Sequence, residues 1–570
     1  MLSGEMEKLY PSAKTLVKEC AASRMHAKDA TLFAFSDEAQ ECARNFMGWA
    51  DLGSNPPYPL HEIQSFADSI IAQGLKWVVL IGQGGSTQAP MTITKYNKPD
   101  SSRVQFRTLD SDSPVRVRGI LSEIDPQATL FIISSKSGGT IEPRLALRAV
   151  REMLSDRISN EELVKHLVAI TDPGSALEAQ AREEGWAAVF SGEPSVGGRF
   201  SALSVFGLLP AALVGINLQE FMAHAAEAER ICSEDAIDNP AIGLAAFLYD
   251  NYLQGRNKFS FLTQKRGRVL GLWIEQLVAE SVGKNGQGIL PNIEIDSLLL
   301  AKDPGDRSII MYQTQNDLWD ERRNFEMGLS YIDSTIPRAA FKIESVYDLP
   351  EHFVMWEYAV AMCGYLMKVS PFDQPDVASA KAVVLDILRD GQPEPDYVQD
   401  FIDDVNMGQV EVRQAPCFKD CTDVRSSLRA LLGSIQPGDF FALNAFLPFT
   451  GEGRREALET IRHGVADKRG VVSCLEVGPR YLHSTGQLHK GGPNCGVFLI
   501  LSADELKDIP LKQEAESLGS LAKAQASGDL VTLASRGRRC VHLHLPDNSS
   551  VTLRALAEVV CDILEELAQR

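Results

Sequence analysis

The sequence predicts an α/β fold that is built on parallel sheets. Continuous apolar runs of strand length lie at residues 77–81, 130–133 and 167–171, and helix-like segments separate them. Strands without polar alternation are typical of parallel sheets that helices cover on both faces. The chain has 570 residues, which is too long for a single core, so we expect three or four domains.

The predicted elements divide the chain into four parts. Residues 1–45 form a helical segment, residues 46–235 a first domain, residues 236–415 a second domain, and residues 416–570 a C-terminal α/β unit. Predicted strands lie at 77–81, 130–133, 167–171, 187–190, 258–262, 308–312, 339–343, 440–446, 470–474, 496–501 and 540–544. Residues 390–424 are charged and contain Pro393 and Pro395, which predicts a linker.

The overall charge argues against nucleic-acid binding and constrains how the protein could bind a phosphate. The net charge is −20, and no basic block is present, which argues against a nucleic-acid-binding protein. An acidic protein that binds a phosphate must gather a few Lys and Arg at its site.

The ten cysteines suit reduced core thiols, and Cys417 and Cys421 lack a second pair at zinc spacing, so we expect no metal. Without a secretory signal or an apolar run of transmembrane length, we expect a soluble cytoplasmic protein.

The most informative segment follows the predicted strand at 130–133. Ser135, Ser137 and Thr140 supply hydroxyls, Lys136 supplies a charge, and Gly138 and Gly139 let the backbone close around a ligand. A helix begins here, so its free N–H groups and its dipole favour an anion in the same space. An ordinary strand–helix turn has a similar composition, and the Walker pattern for nucleotide triphosphates is absent. The segment predicts a phosphate cradle for a small phosphorylated molecule.

Two further glycine-rich loops are candidates for ligand binding. Gly85 and Ser86 follow the strand at 77–81, and ligands of parallel sheets bind beyond the carboxyl ends of strands. Gly197 and Gly198 precede Arg199, which can donate to a phosphate or an oxyanion. A tight turn with a solvated arginine is the simpler interpretation of that second loop.

Glu280 lies at the end of an apolar helix predicted at 270–282. A carboxylate near the negative end of the helix dipole, and partly desolvated, has a raised pKa that suits a general base. A surface glutamate before a glycine-rich loop is the alternative interpretation.

Two later segments carry polar side chains of interest. Gln374 precedes Pro375, the first residue of a predicted helix, and Lys381 follows two turns later on the same face. Further on, His483 and His489 lie in a Gly/Ser/Thr-rich loop before a strand, where binding residues are common. His542 and His544 alternate along a strand, which indicates structural roles.

Together and in this order, the segments over residues 77–385 resemble glucose-6-phosphate isomerases. The chain is most similar to the isomerase half of bacterial fusions with transaldolase, which share the segment around His489. The resemblance implies two SIS-type parallel-sheet sandwich domains and interconversion of glucose 6-phosphate and fructose 6-phosphate through an enediol(ate), without a cofactor.

The resemblance also implies a role for each site residue. Glu280 would move a proton between C2 and C1, Arg199 would stabilise the enediolate, and Lys381 would contact the sugar and help to open its ring. The residues expected at the substrate are Ser135, Lys136, Ser137, Thr140, Gly85, Ser86, Gly198 and Gln374.

The sequence departs from the family at the histidine that opens the ring. That histidine lies between the base and the lysine, where this chain has only His352, which matches no motif. We therefore expect His489, with His483 as the second choice, to take this role from the same or a neighbouring subunit. A homodimer is expected.

Three other functions are compatible with parts of the pattern. A dual phosphoglucose/phosphomannose isomerase would use the same residues. A non-catalytic SIS sugar-phosphate sensor would normally carry a DNA-binding helix-turn-helix, which the acidic N-terminal region lacks, and Glu280, Arg199 and Lys381 favour catalysis. A glutamine-dependent aminosugar synthase would need an N-terminal cysteine, but position 2 is Leu.

Overall fold

A computed structural model describes most of the chain, in two compact units. The described residues are 10–97, 104–294, 297–300, 303–314, 319–376, 383–384, 386–388, 399–405, 407–449, 451, 453–511 and 517–569. Unit 1 comprises Met1–Asp110 and Glu123–Asp373, and unit 2 comprises Ser111–Ser122 and Gln374–Arg570. None of the described helices combines the length and the apolar character that crossing a membrane requires.

Unit 1 begins with helices that pack onto its core. They are α1 (Ser12–Lys18), α2 (Ala21–His26), α3 (Asp37–Phe46) and α4 (Leu60–Ala72). Helix α3 begins where sequence logic places a cap, since the Ser36 hydroxyl accepts from the Ala39 N–H. These helices share one hydrophobic core with both sheets of the unit.

The first sheet of unit 1 is parallel, in the order β2-β1-β3-β4-β5. Its strands are β1 (Trp77–Gly82), β2 (Gln105–Leu109), β3 (Thr129–Ser134), β4 (Leu167–Thr171) and β5 (Ala188–Ser191). The connecting and following helices are α5 (Gly85–Tyr96), α7 (Ile141–Leu154), α8 (Asn160–Leu163), α9 (Ala176–Glu183), α10 (Val205–Leu213) and α11 (Leu218–Cys232). Gly82 pairs with Ser134, so the loops after β1 and β3 leave the sheet side by side.

The second sheet of unit 1 is also parallel, in the order β7-β6-β8-β9. Its strands are β6 (Lys258–Thr263), β7 (Leu290–Glu294), β8 (Arg307–Thr314) and β9 (Arg338–Ile343). Its helices are α12 (Pro240–Leu253), α13 (Arg268–Val282), α14 (Trp319–Leu329) and α15 (Leu349–Met367). Helices α13 and α15 bury Trp273 and Trp356, so the helix that carries Glu280 is anchored deep in the core.

Unit 2 contains a mixed sheet in the order β10-β11-β15-β14-β12-β13. Its strands are β10 (Gln399–Val405), β11 (Gly408–Gln414), β12 (Phe440–Phe446), β13 (Val472–Val477), β14 (Gly496–Ala503) and β15 (Arg539–Leu545). Its later helices are α16 (Val424–Gly433), α17 (Arg454–Arg469), α18 (Gly486–Gly491), α19 (Leu518–Ser535) and α20 (Ser550–Ala568). Helix α6 (Pro114–Glu123) belongs here for most of its length, and its Arg118 donates to the carbonyls of Lys507 and Asp508.

The predicted fold class is confirmed, but the predicted linker is wrong. The two parallel sheets of unit 1 and the α/β unit that follows match the expected architecture. Within residues 390–424, however, β10 and β11 form an antiparallel hairpin that extends the sheet of unit 2. Val410 and Val412 are buried while Gln409 and Glu411 are exposed, which is the alternation of a strand with one solvated face, and the strand is buried throughout from Val412 onward. The predicted domain 236–415 therefore differs from the structure in its last residues.

Candidate active site

The turn between β3 and α7 brings the predicted hydroxyls together. The Ser135 hydroxyl donates to the Thr140 hydroxyl at 3.2 Å, and the Gly139 N–H donates to the Ser137 hydroxyl at 3.3 Å. Gly138 has a φ of +65°, and a Cβ there would lie 2.9 Å from the Ser175 side chain. Helix α7 starts directly after Thr140, so its first N–H groups face the same turn. This geometry suits an anion.

Lys136, expected beside the phosphate, is engaged elsewhere. Its ammonium pairs with the Asp172 carboxylate at 2.5 Å and donates to the carbonyls of Glu193 and Pro194, each at 3.2 Å. These contacts tie the turn after β3 to the loops after β4 and β5. Asp172 offsets much of the lysine charge, so the phosphate role of Lys136 stays a prediction.

The loops after β1 and before α10 approach each other at two glycines. A Cβ on Gly85 would lie 1.9 Å from the Gly198 carbonyl oxygen, so only glycine fits at the start of α5. The Ser134 hydroxyl, at the end of β3, donates to the Ser86 carbonyl at 3.4 Å. Strand β3, which leads into the predicted phosphate turn, therefore lies next to the Gly85 loop in unit 1. The Gly85 loop in turn lies against the Gly198–Arg199 turn.

Arg199 is 3% exposed and donates in several directions. Its Nε donates to the Ser281 hydroxyl at 2.8 Å, and its Nη1 to Glu280 Oε2 at 3.3 Å. Its Nη2 donates to the carbonyls of Pro371 and Asp373, at 2.6 and 2.9 Å. Burial lowers the pKa of the guanidinium, and the Glu280 carboxylate opposes that shift. The planar fork of arginine suits such a junction.

Glu280 lies two residues before the end of α13, and its side chain is 8% exposed. Its Oε2 accepts from Arg199 and also from the Gln276 amide at 3.3 Å, one helical turn earlier. A carboxylate held by donors from two elements has a defined direction, which a general base requires. The sequence places this carboxylate correctly at the end of a buried helix.

Lys284 is a site residue that the sequence interpretation did not single out. Its ammonium donates to the Ser370 carbonyl at 2.5 Å and to the carbonyl and Oδ1 of Asp373 at 2.6 and 2.5 Å. Burial, followed by the nearby charge of Arg199, lowers the pKa of Lys284 to about 8. Its place in the short loop directly after α13, two residues beyond the end of the helix that carries Glu280, was the available signal. Lys284 and Arg199 together hold residues 370–373.

Gln374 and Lys381 follow that held segment in the sequence. Gln374 is exposed and belongs to unit 2, and Pro375 and Asp376 after it are helical. Lys381 lies outside the described residues, so its expected role stays a prediction.

His489 is enclosed in unit 2, on the short helix α18. It is 1% exposed, and its ring centroid lies 4.9 Å from that of Phe498, 5.9 Å from Phe440 and 6.0 Å from Tyr481. Neither ring nitrogen has a hydrogen-bond partner among the described residues. Burial lowers the pKa of His489 well below its ordinary value. This environment favours a packing role, and the ring-opening assignment stays a prediction.

The other histidines that the sequence raised have ordinary surroundings. His483 is half-buried at the end of a short 3-10 helix. His352 bonds to the Tyr312 hydroxyl at 2.9 Å, and burial lowers its pKa to about 4. His542 and His544 share the Ser502 hydroxyl, at 2.7 and 2.8 Å, inside the sheet of unit 2. The last pair agrees with the structural roles expected for it.

Comparison with known proteins identifies one family. The family model described as Phosphoglucose isomerase matches residues 65–295. A glucose-6-phosphate isomerase of Mycoplasmopsis pulmonis is 30% identical over 392 residues, covering 60% of this chain and 90% of that protein. One of Parabacteroides distasonis is 28% identical over 421 residues, covering 63% and 92%.

Solved structures share the fold. A hypothetical protein from Thermus thermophilus superposes with a TM-score of 0.58 and 24% identity, covering 68% of this chain and 99% of its own. A glucose-6-phosphate isomerase from Chlamydia trachomatis superposes with a TM-score of 0.53 and 18% identity, covering 67% and 85%. On the strength of the sequence relatives, this chain belongs to the glucose-6-phosphate isomerase family.

Proposed function

We propose that this chain is a cofactor-free aldose–ketose isomerase that interconverts glucose 6-phosphate and fructose 6-phosphate. The observation that carries the proposal is the enclosed Glu280 carboxylate, oriented by Arg199 and Gln276 in a chain of this family. Aldose–ketose isomerisation needs one carboxylate that removes a proton from C2 and returns it to C1.

Arg199 has the charge that the intermediate requires. Negative charge develops on the sugar oxygens as the enediolate forms, and a fixed donor there is worth on the order of 3 kcal/mol. Arg199 is already bonded to Ser281 and to two backbone carbonyls, so its guanidinium does not need to reorganise during the reaction. We assign it to stabilising that charge.

The turn at residues 135–140 supplies the phosphate grip. Its hydroxyls and helix N–H groups would bind the group that does not react, so that binding energy orients the reacting carbons. Gly85, Ser86 and Gly198 line the adjacent loops, and Ser134 bonds to Ser86. Gln374 and Lys381 keep the sugar-contacting roles that the resemblance implies, with Lys381 assisting ring opening.

Several finer properties belong to the same proposal. The segment around His489 supports a kinship with the isomerase half of transaldolase fusions. We also propose a homodimer, as the resemblance to the family implies, and a cytoplasmic location, as the sequence predicts. Light scattering after size exclusion tests the dimer directly.

A coupled assay for both directions of the reaction tests the function. We expect turnover of fructose 6-phosphate by the wild type, and a loss of about 10³-fold in kcat for Glu280→Gln, which keeps the size of the side chain but cannot accept a proton. If the wild type were inactive on glucose, fructose and mannose 6-phosphates, the proposed isomerase activity would be refuted. Turnover of mannose 6-phosphate at a comparable rate would favour the dual isomerase.

The cradle has its own test in the same assay. Ser135→Ala combined with Thr140→Val should raise KM and the inhibition constant of inorganic phosphate by tenfold or more, since each bond to a charged group is worth about 1.5–3 kcal/mol. Ser155→Ala, whose hydroxyl donates to the Glu152 carbonyl on the exposed end of α7, is the matched control. Equal phosphate inhibition in both variants would place the phosphate elsewhere.

A further inference from the structure

Lys284 uses all three of its donors on one short segment of unit 1. Its ammonium donates to the Ser370 carbonyl at 2.5 Å, and to the carbonyl and Oδ1 of Asp373 at 2.6 and 2.5 Å. An ammonium has three N–H groups, so these three bonds satisfy it completely. The side chain is 4% exposed, whereas lysines are rarely buried unless they are paired. A lysine that is enclosed in this way fixes the position of the backbone that it binds.

The Asp373 carbonyl is shared between Lys284 and Arg199. It accepts from Lys284 Nζ at 2.6 Å and from Arg199 Nη2 at 2.9 Å. The other terminal nitrogen of the guanidinium, Nη1, donates to Glu280 Oε2 at 3.3 Å. Because a guanidinium is planar, the acceptors of Nη2 also set the direction of Nη1. Lys284 therefore acts on the Arg199–Glu280 pair through a carbonyl that both cations bind.

An aromatic side chain anchors the same segment from its apolar side. The ring centroid of Phe372 lies 5.2 Å from that of Phe33, 5.7 Å from Phe200 and 6.4 Å from Trp49. Apolar packing is non-directional, so these contacts locate the segment without setting the direction of its carbonyls. The hydrogen bonds of Lys284 supply that direction.

Four charged side chains meet at this point, two of each sign. Arg199, Glu280 and Lys284 are enclosed, and Asp373 is partly exposed. Burial, followed by the charge of Arg199, lowers the pKa of Lys284 to about 8, and the carboxylates of Asp373 and Glu280 oppose that shift. The Cys42 thiol of α3 lies in the same field, and burial raises its pKa from the ordinary value of 9.0. The thiol is therefore neutral at the pH where Lys284 titrates.

Loss of the Lys284 proton would break this arrangement. A neutral amine has two N–H donors and one lone pair, so one of the three oxygens would face the lone pair. The group of charges would also lose a cation beside Arg199, which we assign to the enediolate. The arrangement is therefore complete below about pH 8 and is lost as the pH rises through that value.

We propose that Lys284 is a positioning residue for the isomerisation, which holds Ser370 and Asp373 so that Arg199 stays directed at Glu280. The proposal rests on the proposed function, because it concerns the same base and the same cation. It assigns no contact with the substrate to Lys284.

The experiment is the pH dependence of kcat between pH 6 and pH 10. The wild type should keep its kcat up to about pH 8 and lose it above that value. Lys284→Met keeps the length of the side chain but has no donor, and its kcat at pH 7 should fall about 30-fold, since small misplacements cost up to about 10²-fold. Its remaining activity should show no further fall around pH 8. KM should change less than about threefold.

Asp373→Asn is a second variant that disturbs the core less, because the Asp373 side chain is 36% exposed. It removes a negative charge that opposes the lowered pKa of Lys284. The fall in kcat should therefore begin at a lower pH than in the wild type, by about half a pH unit or more. A role in stability alone would not move this pH value.

Lys258→Met is the matched control. Lys258 is another enclosed lysine of unit 1, and it pairs with Asp306 at 3.0 Å, but it lies at the start of β6. This variant should lower the thermal midpoint and keep both the kcat and the pH dependence of the wild type. An equal loss of kcat in the two methionine variants overturns the proposal. A fall in kcat at the wild-type pH in Lys284→Met or Asp373→Asn also overturns it.

Hydrogen exchange separates this proposal from the proposed function. At pH 7, peptides covering 364–373 should exchange at least about tenfold faster in Lys284→Met than in the wild type or in Lys258→Met. Unchanged exchange refutes the hold on residues 370–373 even in an active enzyme. A wild type without isomerase activity refutes the proposed function and the catalytic role together, and faster exchange would then still show that Lys284 holds this segment.

Discussion

Arg199 Nη1 donates to Glu280 Oε2 at 3.3 Å, in a pair whose side chains are 3% and 8% exposed. Few solvent molecules reach such a pair, so its charges act on each other and on a ligand with little screening. The arginine also bonds to two carbonyls of the segment that leads into Gln374. The Arg199 guanidinium thus links Glu280, the candidate base, to Pro371 and Asp373.

Arg199→Lys should separate the shape of this cation from its charge. An ammonium cannot reproduce a fork that reaches Ser281, Glu280 and two carbonyls, so we expect kcat to fall by about 10²-fold or more, together with a lower thermal midpoint. Arg182→Lys, at an exposed arginine that pairs with the half-buried Glu178, should leave both quantities unchanged. A variant Arg199→Lys with near-normal kcat would show that only charge is needed.

Two adjacent glycines should respond differently to alanine. Gly85→Ala puts a Cβ 1.9 Å from the Gly198 carbonyl oxygen, so the backbone must move and both stability and kcat should fall. Gly198→Ala meets no described atom within 4 Å, so its thermal midpoint should be normal. If Gly198 lines the substrate site, the KM of the Gly198→Ala variant for fructose 6-phosphate should rise several-fold. Equal midpoints for both variants would contradict the close approach.

His489→Phe tests whether the enclosed histidine is catalytic. The ring lies among three aromatic side chains, and replacing unpartnered nitrogens by carbon should raise stability by about 1–3 kcal/mol. We expect kcat within threefold of the wild type. A fall of 10²-fold with an unchanged midpoint would instead support the ring-opening role predicted from the sequence.

Glu476 should make the stability of unit 2 depend on pH. Burial raises its pKa to about 7, with the Arg480 charge opposing the shift. The folded chain keeps this proton up to about pH 7, whereas the unfolded chain releases it near the ordinary value of 4.5. The stabilisation is therefore present below pH 4.5 and is lost as the pH rises through 7.

The variant Glu476→Gln mimics the protonated form. At pH 8 its free energy of unfolding should exceed that of the wild type by an amount on the order of 1–3 kcal/mol, and its unfolding temperature should be higher. At pH 5 the two proteins should unfold at nearly the same temperature. Glu558→Gln, an exposed change on α20 in the same unit, should show no such pH dependence. Calorimetry of the wild type and both variants at pH 5 and pH 8 measures these differences.

The sequence predicted the local features of the candidate site well. The apolar runs located β1, β3 and β4, because buried parallel strands need continuous hydrophobic side chains. Small residues after β3 indicated the turn of Ser135 and Thr140, and the end of an apolar helix indicated Glu280. Where charge obscured the alternation of Val410 and Val412, the same logic failed and a strand was predicted as linker.

The partners of those residues depended on the tertiary structure. Arg199 meets Pro371 across 172 positions, Lys136 meets Asp172, and Lys284 meets Ser370 across 86 positions. The sequence alone determined the fold class, the turn after β3 and the place of Glu280 at the end of a buried helix, because periodicity and turn chemistry act over a few residues. Only the folded chain decided which cation faces which anion and carbonyl, because those pairs are set by how distant elements pack.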